Sequence, residues 1–276
     1  AQLQIGSRGL KAKTNGSGRR FLASVASEDD VVFSESEKGN VCIVLNRPKA
    51  LNALDSSMVA KLTPKYTQWT QDAKNTPRTI VMKGSGEKAF CAGGDIRAIY
   101  DAKMEGASPK ECCEFFANEY VLNQLIGNLP SHLPHVAILN GITMGGGVGL
   151  SVHGKYRVAT ENTMFAMPET AIGFFCDVGG SYFLPRLQNH LGTYLALTGA
   201  RLTGQEVVSA GVATHYVPMQ RLQDLENELL DSEPDSVSEI LNKYAVPSSE
   251  LKTEALDELL PNIQKIFGLG SVEEIV

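Results

Sequence analysis

Ala89-Phe90-Cys91-Ala92-Gly93-Gly94-Asp95 and, further along, Gly145-Gly146-Gly147-Val148-Gly149 are the stretches on which the reading of the fold turns. Each comes after a run of β-forming residues, Thr79 to Met82 in one case and His135 to Leu139 in the other, and each leads into a helical pattern. Glycine lets the backbone come close to a ligand, because no Cβ intervenes. The first turn of a helix leaves its amide N–H groups unpaired and partly positive. Two such donors aimed at one point form an oxyanion hole, which a thioester carbonyl needs as it becomes an oxyanion or enolate. Taken alone, Gly145 to Gly147 are equally consistent with tight helix–sheet packing.

Other glycine motifs lead nowhere. Gly84-Ser85-Gly86-Glu87-Lys88-Ala89 fits a loose dinucleotide pattern, but the next residues, Phe90 to Gly94, read as more loop and not as a helix. No phosphate-binding G-x-x-x-x-G-K-[ST] and no G-x-S-x-G nucleophile elbow occurs.

Outward from the glycines the chain alternates short strands with helices, which indicates an α/β fold. Val31 to Phe33 and Val41 to Leu45 form a hairpin around Lys38-Gly39-Asn40. Asp55 or Ser56 caps a helix through Met58, Leu62, Tyr66 and Trp69. Asp95 caps the next helix. Glu111 to Leu125 is amphipathic, with Phe115, Phe116, Leu122 and Leu125 on one side. Arg157 to Thr160 and Thr163 to Ala166 are strands, Gly180 onward is helical with interruptions, and Met219 to Leu230 is a charged amphipathic helix. Pro234, Pro247 and Pro261 then break the helical runs, leaving short helices at Val237 to Tyr244 and Glu250 to Leu260. Ser271 to Val276 reads as the opening turn of a further helix. No repeat of fixed period is visible.

The 276 residues, 43% of them hydrophobic, suffice for a sizeable core. A net charge of −6 gives no electrostatic case for nucleic acid or an anionic membrane as partner. No apolar run approaches the roughly 18 residues of a membrane span. Five cysteines without C-x-x-C spacing read as reduced, buried thiols of an intracellular compartment, with no disulfide frame and no zinc site. Residues 1–28 form a separate unit. Up to Ala26 they carry Arg8, Lys11, Lys13, Arg19 and Arg20, several serines and no acid, a pattern of organellar transit peptides or of a basic tail. Residues 29–230 are the main domain, and 231–276 a partial C-terminal helical segment.

Asn46-Arg47-Pro48-Lys49-Ala50-Leu51-Asn52-Ala53-Leu54, the two glycine clusters, Asn140-Gly141 and Pro168-Glu169 resemble, in order and spacing, the crotonase (enoyl-CoA hydratase/isomerase) superfamily. The resemblance spans about Val31 to Val217. It implies a spiral of ββα units with C-terminal helices, a coenzyme A thioester as substrate, and no cofactor beyond the coenzyme A that the substrate carries. It further implies an oxyanion hole made by the N–H groups of Gly94 and Gly146, with the loop Ala92, Asp95 and Ile96 lying along the coenzyme A adenine. Superfamily members often assemble as trimers, but the hydrolase branch departs from that, so the resemblance leaves a homo-oligomer open. The family ordinarily continues beyond Val276.

Within the superfamily the carboxylates distinguish the chemistry. The hydratase pattern G-G-G-x-E has an acid where this chain has Gly149, while its second acid matches Glu169. Ile142 to Gly154, with Phe165 to Gly180, resembles the 3-hydroxyisobutyryl-CoA hydrolase branch, except that Cys176 stands where that branch usually has proline. The expected effect of that departure is on loop rigidity more than on chemistry. The branch implies hydrolysis of the thioester, a mitochondrial matrix location and a place in valine breakdown.

Glu169 lies among Phe165, Met167, Ile172 and Phe174; burial there would raise its pKa. On the hydrolase reading it attacks the thioester carbonyl or activates a water that does so. Asp177 is either a helix cap or the group that binds the substrate hydroxyl or orients the water. Glu119 sits on the apolar stripe of its helix, where it either reaches solvent or binds substrate, as the family's matching glutamate does. Ser151 and His153, two apart on a helix, do not face each other. His132 and His135 lack the further ligands a metal needs. An enoyl-CoA isomerase working with Glu169 alone, and a non-catalytic acyl-CoA-binding protein, are the alternatives to the hydrolase.

Overall fold

The structure is a computed structural model describing residues 29–276, so the transit-peptide reading of 1–28 lies outside the described residues. The chain opens with β1 (Val31–Glu35) and β2 (Val41–Leu45), paired antiparallel as the expected hairpin. Then comes α1 (Ser56–Gln71), where the Asp55 carboxylate accepts the Met58 N–H at 2.9 Å and Met58, Leu62, Tyr66 and Trp69 are buried on one face. From β3 onward a unit of two strands and a helix recurs. The first is β3 (Ile80–Gly84), β4 (Ala89–Cys91) and α2 (Ile96–Met104), succeeded by α3 (Pro109–Gly127). The second is β5 (His135–Leu139), β6 (Ile142–Met144) and α4 (Gly146–Ser151). The third is β7 (Tyr156–Ala159) and β8 (Met164–Ala166), a 3-10 turn over Glu169–Ile172, and α5 (Gly180–Phe183).

In each unit the first strand joins a large sheet, ordered β1-β2-β3-β5-β7-β10, and the second joins a small sheet, ordered β4-β6-β8-β9. This is the ββα spiral that the family resemblance implies. The remaining elements are α6 (Leu191–Thr198), β9 (Leu202–Thr203), α7 (Glu206–Ser209), β10 (His215–Tyr216), α8 (Met219–Leu230), α9 (Val237–Tyr244), α10 (Glu254–Phe267) and α11 (Val272–Ile275).

Alternation along the large sheet sorts its side chains between two cores. Ile80, Met82, Ala137 and Leu139 face α1 and α3, while Val81, Val136 and Ile138 pack with Leu225 and Leu229 of α8 and Ile240 and Leu241 of α9. The small sheet, α6 and α10 enclose a third core around Phe165, Met167, Leu195, Leu256 and Ile263. A fully buried leucine or isoleucine contributes about 1.5–3 kcal/mol.

Several expectations need correction. Phe90 and Cys91, expected in a loop, are in β4, and β6 is a strand that the sequence pattern does not announce. Pro261 does not break a helix: α10 runs through it, so the helix expected at Glu250 to Leu260 starts later and ends later. Losing one backbone hydrogen bond costs about 3 kcal/mol, and the flanking Leu256 and Ile263, both buried in the third core, offset it. The cysteines are not uniformly buried: Cys42 and Cys91 are, Cys112 and Cys176 are half-buried, and Cys113 is exposed. Cys113 lies on the solvent side of α3, where neither sheet reaches.

Candidate functional site

β4, β6 and β8 are parallel neighbours in the small sheet, with Cys91 opposite Thr143 and Met144 opposite Ala166. Their C-terminal ends therefore lie side by side. The first ends at Gly93-Gly94, the second at Gly145-Gly146, and the third at Met167-Pro168-Glu169. Strand register thus gathers three motifs that are far apart in sequence.

The two glycine clusters meet closely. A Cβ on Gly146 would stand 3.2 Å from the Gly94 nitrogen and would run into Glu119 Oε1. A Cβ on Gly93 would lie 3.9 Å from the Gly146 nitrogen. Among the described residues no backbone carbonyl takes the N–H of Gly94 or Gly146. Gly146 opens α4, so its N–H is an unpaired first-turn donor. Gly93 and Gly145 have φ of 110° and 44°, which side chains rarely tolerate, and these turns aim the two amides. Phe115 braces the first from behind, since a Cβ on Gly94 would be 3.0 Å from its ring.

The strand carrying Gly94 is clamped. Leu54 N–H donates to Gly93 O and Asp95 N–H to Leu54 O, both at 2.8 Å. Arg47 ties this clamp together. Its guanidinium donates to Ala53 O at 2.6 Å and to Asp95 Oδ2 at 2.9 Å, and it pairs with Asp55 at 3.2 Å. Asn52 receives the Arg47 N–H and donates to Ala89 O at 2.8 Å. The Asn46 to Leu54 motif is therefore a brace for the loop that holds Gly94. Within that loop Asp95 also caps α2, accepting the Ala98 N–H at 3.1 Å, Ala92 N–H donates to Leu51 O, and Ile96 is exposed.

Glu119 and Glu169 lie against the second glycine cluster, and Asp177 stands close enough for its charge to raise Glu119. Glu119 comes from α3 and is 1% exposed; Glu169 comes just after β8 and is 7% exposed; Asp177 is 9% exposed. Glu169 Oε1 would be 3.2 Å from a Cβ on Gly145, so it lies beside the second glycine cluster. Burial, and then the charges of Asp177 and Glu169, push Glu119 up to about 8. Burial also raises Glu169, partly offset by its own backbone N–H and by the Cys176 thiol. That thiol is itself pushed up to about 12, so it stays protonated, and its Sγ lies 3.9 Å from Met167 O and 3.8 Å from Ala196 O. Asp177 is raised by burial against the hydrogen bond it accepts from Tyr120 Oη at 2.8 Å. It is not a helix cap; α5 begins behind Gly179, whose φ is 83°.

Of the residues singled out from sequence, Gly94, Gly146, Glu119, Glu169 and Asp177 come together, and Ala92, Asp95 and Ile96 form the edge leading away from Gly94. Ser151 and His153 do not pair: Ser151 Oγ donates to Gly147 O at 3.0 Å, and His153 Nε2 lies 2.7 Å from Val178 O. Tyr120, which holds Asp177, and Asn123 are site residues that the sequence reading does not pick out. For Asn123 a signal exists, since its place four residues after Glu119 puts it on the same helix face. At Gly149, where a hydratase has an acid, a Cβ would stand 2.7 Å from Val178 Cβ and 2.8 Å from Asn123 Nδ2. That space is filled.

Residues 41–276 match the enoyl-CoA hydratase/isomerase family. The sequence is 52% identical over 272 residues to the mitochondrial 3-hydroxyisobutyryl-CoA hydrolase of Dictyostelium discoideum, covering 95% of this chain and 70% of that one. It is 49% identical to the mitochondrial 3-hydroxyisobutyryl-CoA hydrolase of Danio rerio, covering 92% and 66%. The chain thus spans about two thirds of the length of these relatives. The crystal structure of a carnitinyl-CoA dehydratase from Mycobacterium thermoresistibile superposes with a TM-score of 0.79 at 37% identity, covering 90% of this chain and 69% of the other.

Proposed function

Because the chain belongs to the enoyl-CoA hydratase/isomerase family, we propose that it hydrolyses the thioester of 3-hydroxyisobutyryl-CoA to 3-hydroxyisobutyrate and free coenzyme A. The observation that carries this reading is at Gly149. Hydration in this family's pattern uses an acid there as well as at Glu169, and here Asn123 and Val178 occupy its space. What remains is one base at the amide pair and a second carboxylate, Asp177, held by Tyr120.

The thioester oxygen accepts the N–H groups of Gly94 and Gly146, which carry the charge that develops on it. Environment divides the acids into roles. Glu119, with a pKa of about 8, is mostly protonated at neutral pH and donates a hydrogen bond. Glu169 is the base or nucleophile. As base it takes a proton from water while the water oxygen bonds to the acyl carbon; the C–S bond then breaks and the proton passes to the departing sulfur. As nucleophile it forms an anhydride that water opens. Either way the products are a carboxylic acid and a thiol. Asp177 binds the substrate hydroxyl. The relatives are named mitochondrial, which supports a mitochondrial location for this chain; the matrix and a step of valine breakdown are the finer reading.

The test is substrate choice on this 276-residue chain. Thiol release from 3-hydroxyisobutyryl-CoA should exceed that from acetyl-CoA by about 100-fold or more, since a site built for a hydroxyl is left unpaired by an acyl group lacking one. Hydration of crotonyl-CoA at a comparable rate, without thiol release, would return the chain to the hydratases.

A further inference from the structure

Asn123 is 5% exposed, and neither its Oδ1 nor its Nδ2 has a hydrogen-bond partner among the described residues. Leaving a buried amide unpaired costs about 1–3 kcal/mol, so a fold that keeps one has a partner for it outside the described residues. The neighbours say what kind. Asn123 faces α4, its Nδ2 and Oδ1 standing 2.8 and 3.0 Å from where a Cβ on Gly149 would be. One turn earlier on α3, Glu119 Oε1 is also buried without a partner and faces Gly146. α3 therefore presents two unpaired polar groups, at i and i+4, to the turn of α4 that begins with an oxyanion amide. The opposite wall is Val178, whose φ of 45° is rare for a β-branched residue. His153 Nε2 at 2.7 Å from its carbonyl holds it there.

We propose that Asn123 binds the water consumed in the hydrolysis. A buried water takes two to four polar partners; the amide supplies two and Glu169 a third. The amide oxygen accepts a hydrogen bond from one water O–H and the amide N–H donates to one lone pair, which leaves the second lone pair free to bond the acyl carbon. The second proton goes to Glu169 and then to the thiolate sulfur as the C–S bond breaks. A neutral amide orients water without competing for its proton, so it suits a reaction with a single base. The assignment rests on the hydrolase reading.

Asn123→Leu keeps the volume and removes both hydrogen-bonding atoms. Thiol release should fall about 10–100-fold in kcat, the loss of one hydrogen bond to a reacting group, with KM within about 2-fold. The loss should be equal for 3-hydroxyisobutyryl-CoA and isobutyryl-CoA, since both consume water. Asn123→Asp keeps an acceptor and should retain more of the rate. A purely structural Asn123 predicts the opposite: Asn123→Leu stable or stabilised, with kcat unchanged. A loss confined to the hydroxylated substrate would also overturn the proposal, because Asn123 would then read the acyl hydroxyl. A crystal structure of the unmodified chain separates the two levels of claim. An ordered water within about 3 Å of the Asn123 amide supports the site even if no thiol is released, and a dry amide sinks it even if hydrolysis is fast.

Discussion

A carboxyl group buried beside two others gives up its proton late, and for Glu119 that has a cost in stability with a definite sign. Its pKa rises on folding from an ordinary 4.5 to about 8, so between those values the folded chain binds a proton that the unfolded chain has lost. Stability therefore falls as pH rises through this window, by about 1.4 kcal/mol per pH unit. Burial raises Glu169 and Asp177 as well, and they act in the same direction. Glu119→Gln removes the largest part: its melting point should exceed the parent's by several degrees at pH 8.5 and match it near pH 4.5. Equal melting points at both values would mean that Glu119 ionises normally and is not buried among acids. The sequence places Glu119 on an apolar stripe but cannot choose between solvent and site, because the deciding partners, Gly146, Glu169 and Asp177, arrive from other parts of the chain. Asn123 shares that helix face, so its place is legible once Glu119 is assigned to the site.

The elements are legible in proportion to their length. The helices α1, α3, α8 and α9 carry enough turns for their buried stripe to show, and their ends, with the Asp55 cap of α1, fall close to where the sequence puts them. β4 and β6 have three residues each, too few to display alternation, so the small sheet that aligns the catalytic motifs cannot be read. Nor can the spiral, because its units start at Ile80, His135 and Tyr156, at unequal spacing. Where α4 meets β4, the sequence leaves Gly147 open between packing and chemistry, and it is packing. A Cβ there would stand 2.8 Å from Cys91 Cβ and collide with the Cys91 carbonyl. Gly147→Ala should lower the denaturation free energy by about 1–3 kcal/mol and, by lifting α4, displace the Gly146 amide and slow thiol release. An unchanged denaturation midpoint would show that α4 does not sit on β4 this closely.

At the scale of the whole molecule, the large sheet is a frame with a core on each face, and the small sheet, set against a third core, carries the candidate site. The departures from the hydratase pattern lie at Gly149 in α4 and in the Cys176 to Gly180 turn. The same spiral can thus serve addition of water to an alkene or cleavage of a thioester, according to which side chains fill the space around Gly149. The central claim is that one carboxylate, Glu169, facing the amides of Gly94 and Gly146, drives that cleavage. Single-turnover release of coenzyme A thiol from 3-hydroxyisobutyryl-CoA, measured for the parent chain and for Glu169→Gln, tests it most directly. The variant should bind the thioester with similar affinity and release thiol at least about 1000-fold more slowly. Release by Glu169→Gln within about 10-fold of the parent would contradict the account, because hydrolysis would then proceed without the carboxylate on which it rests.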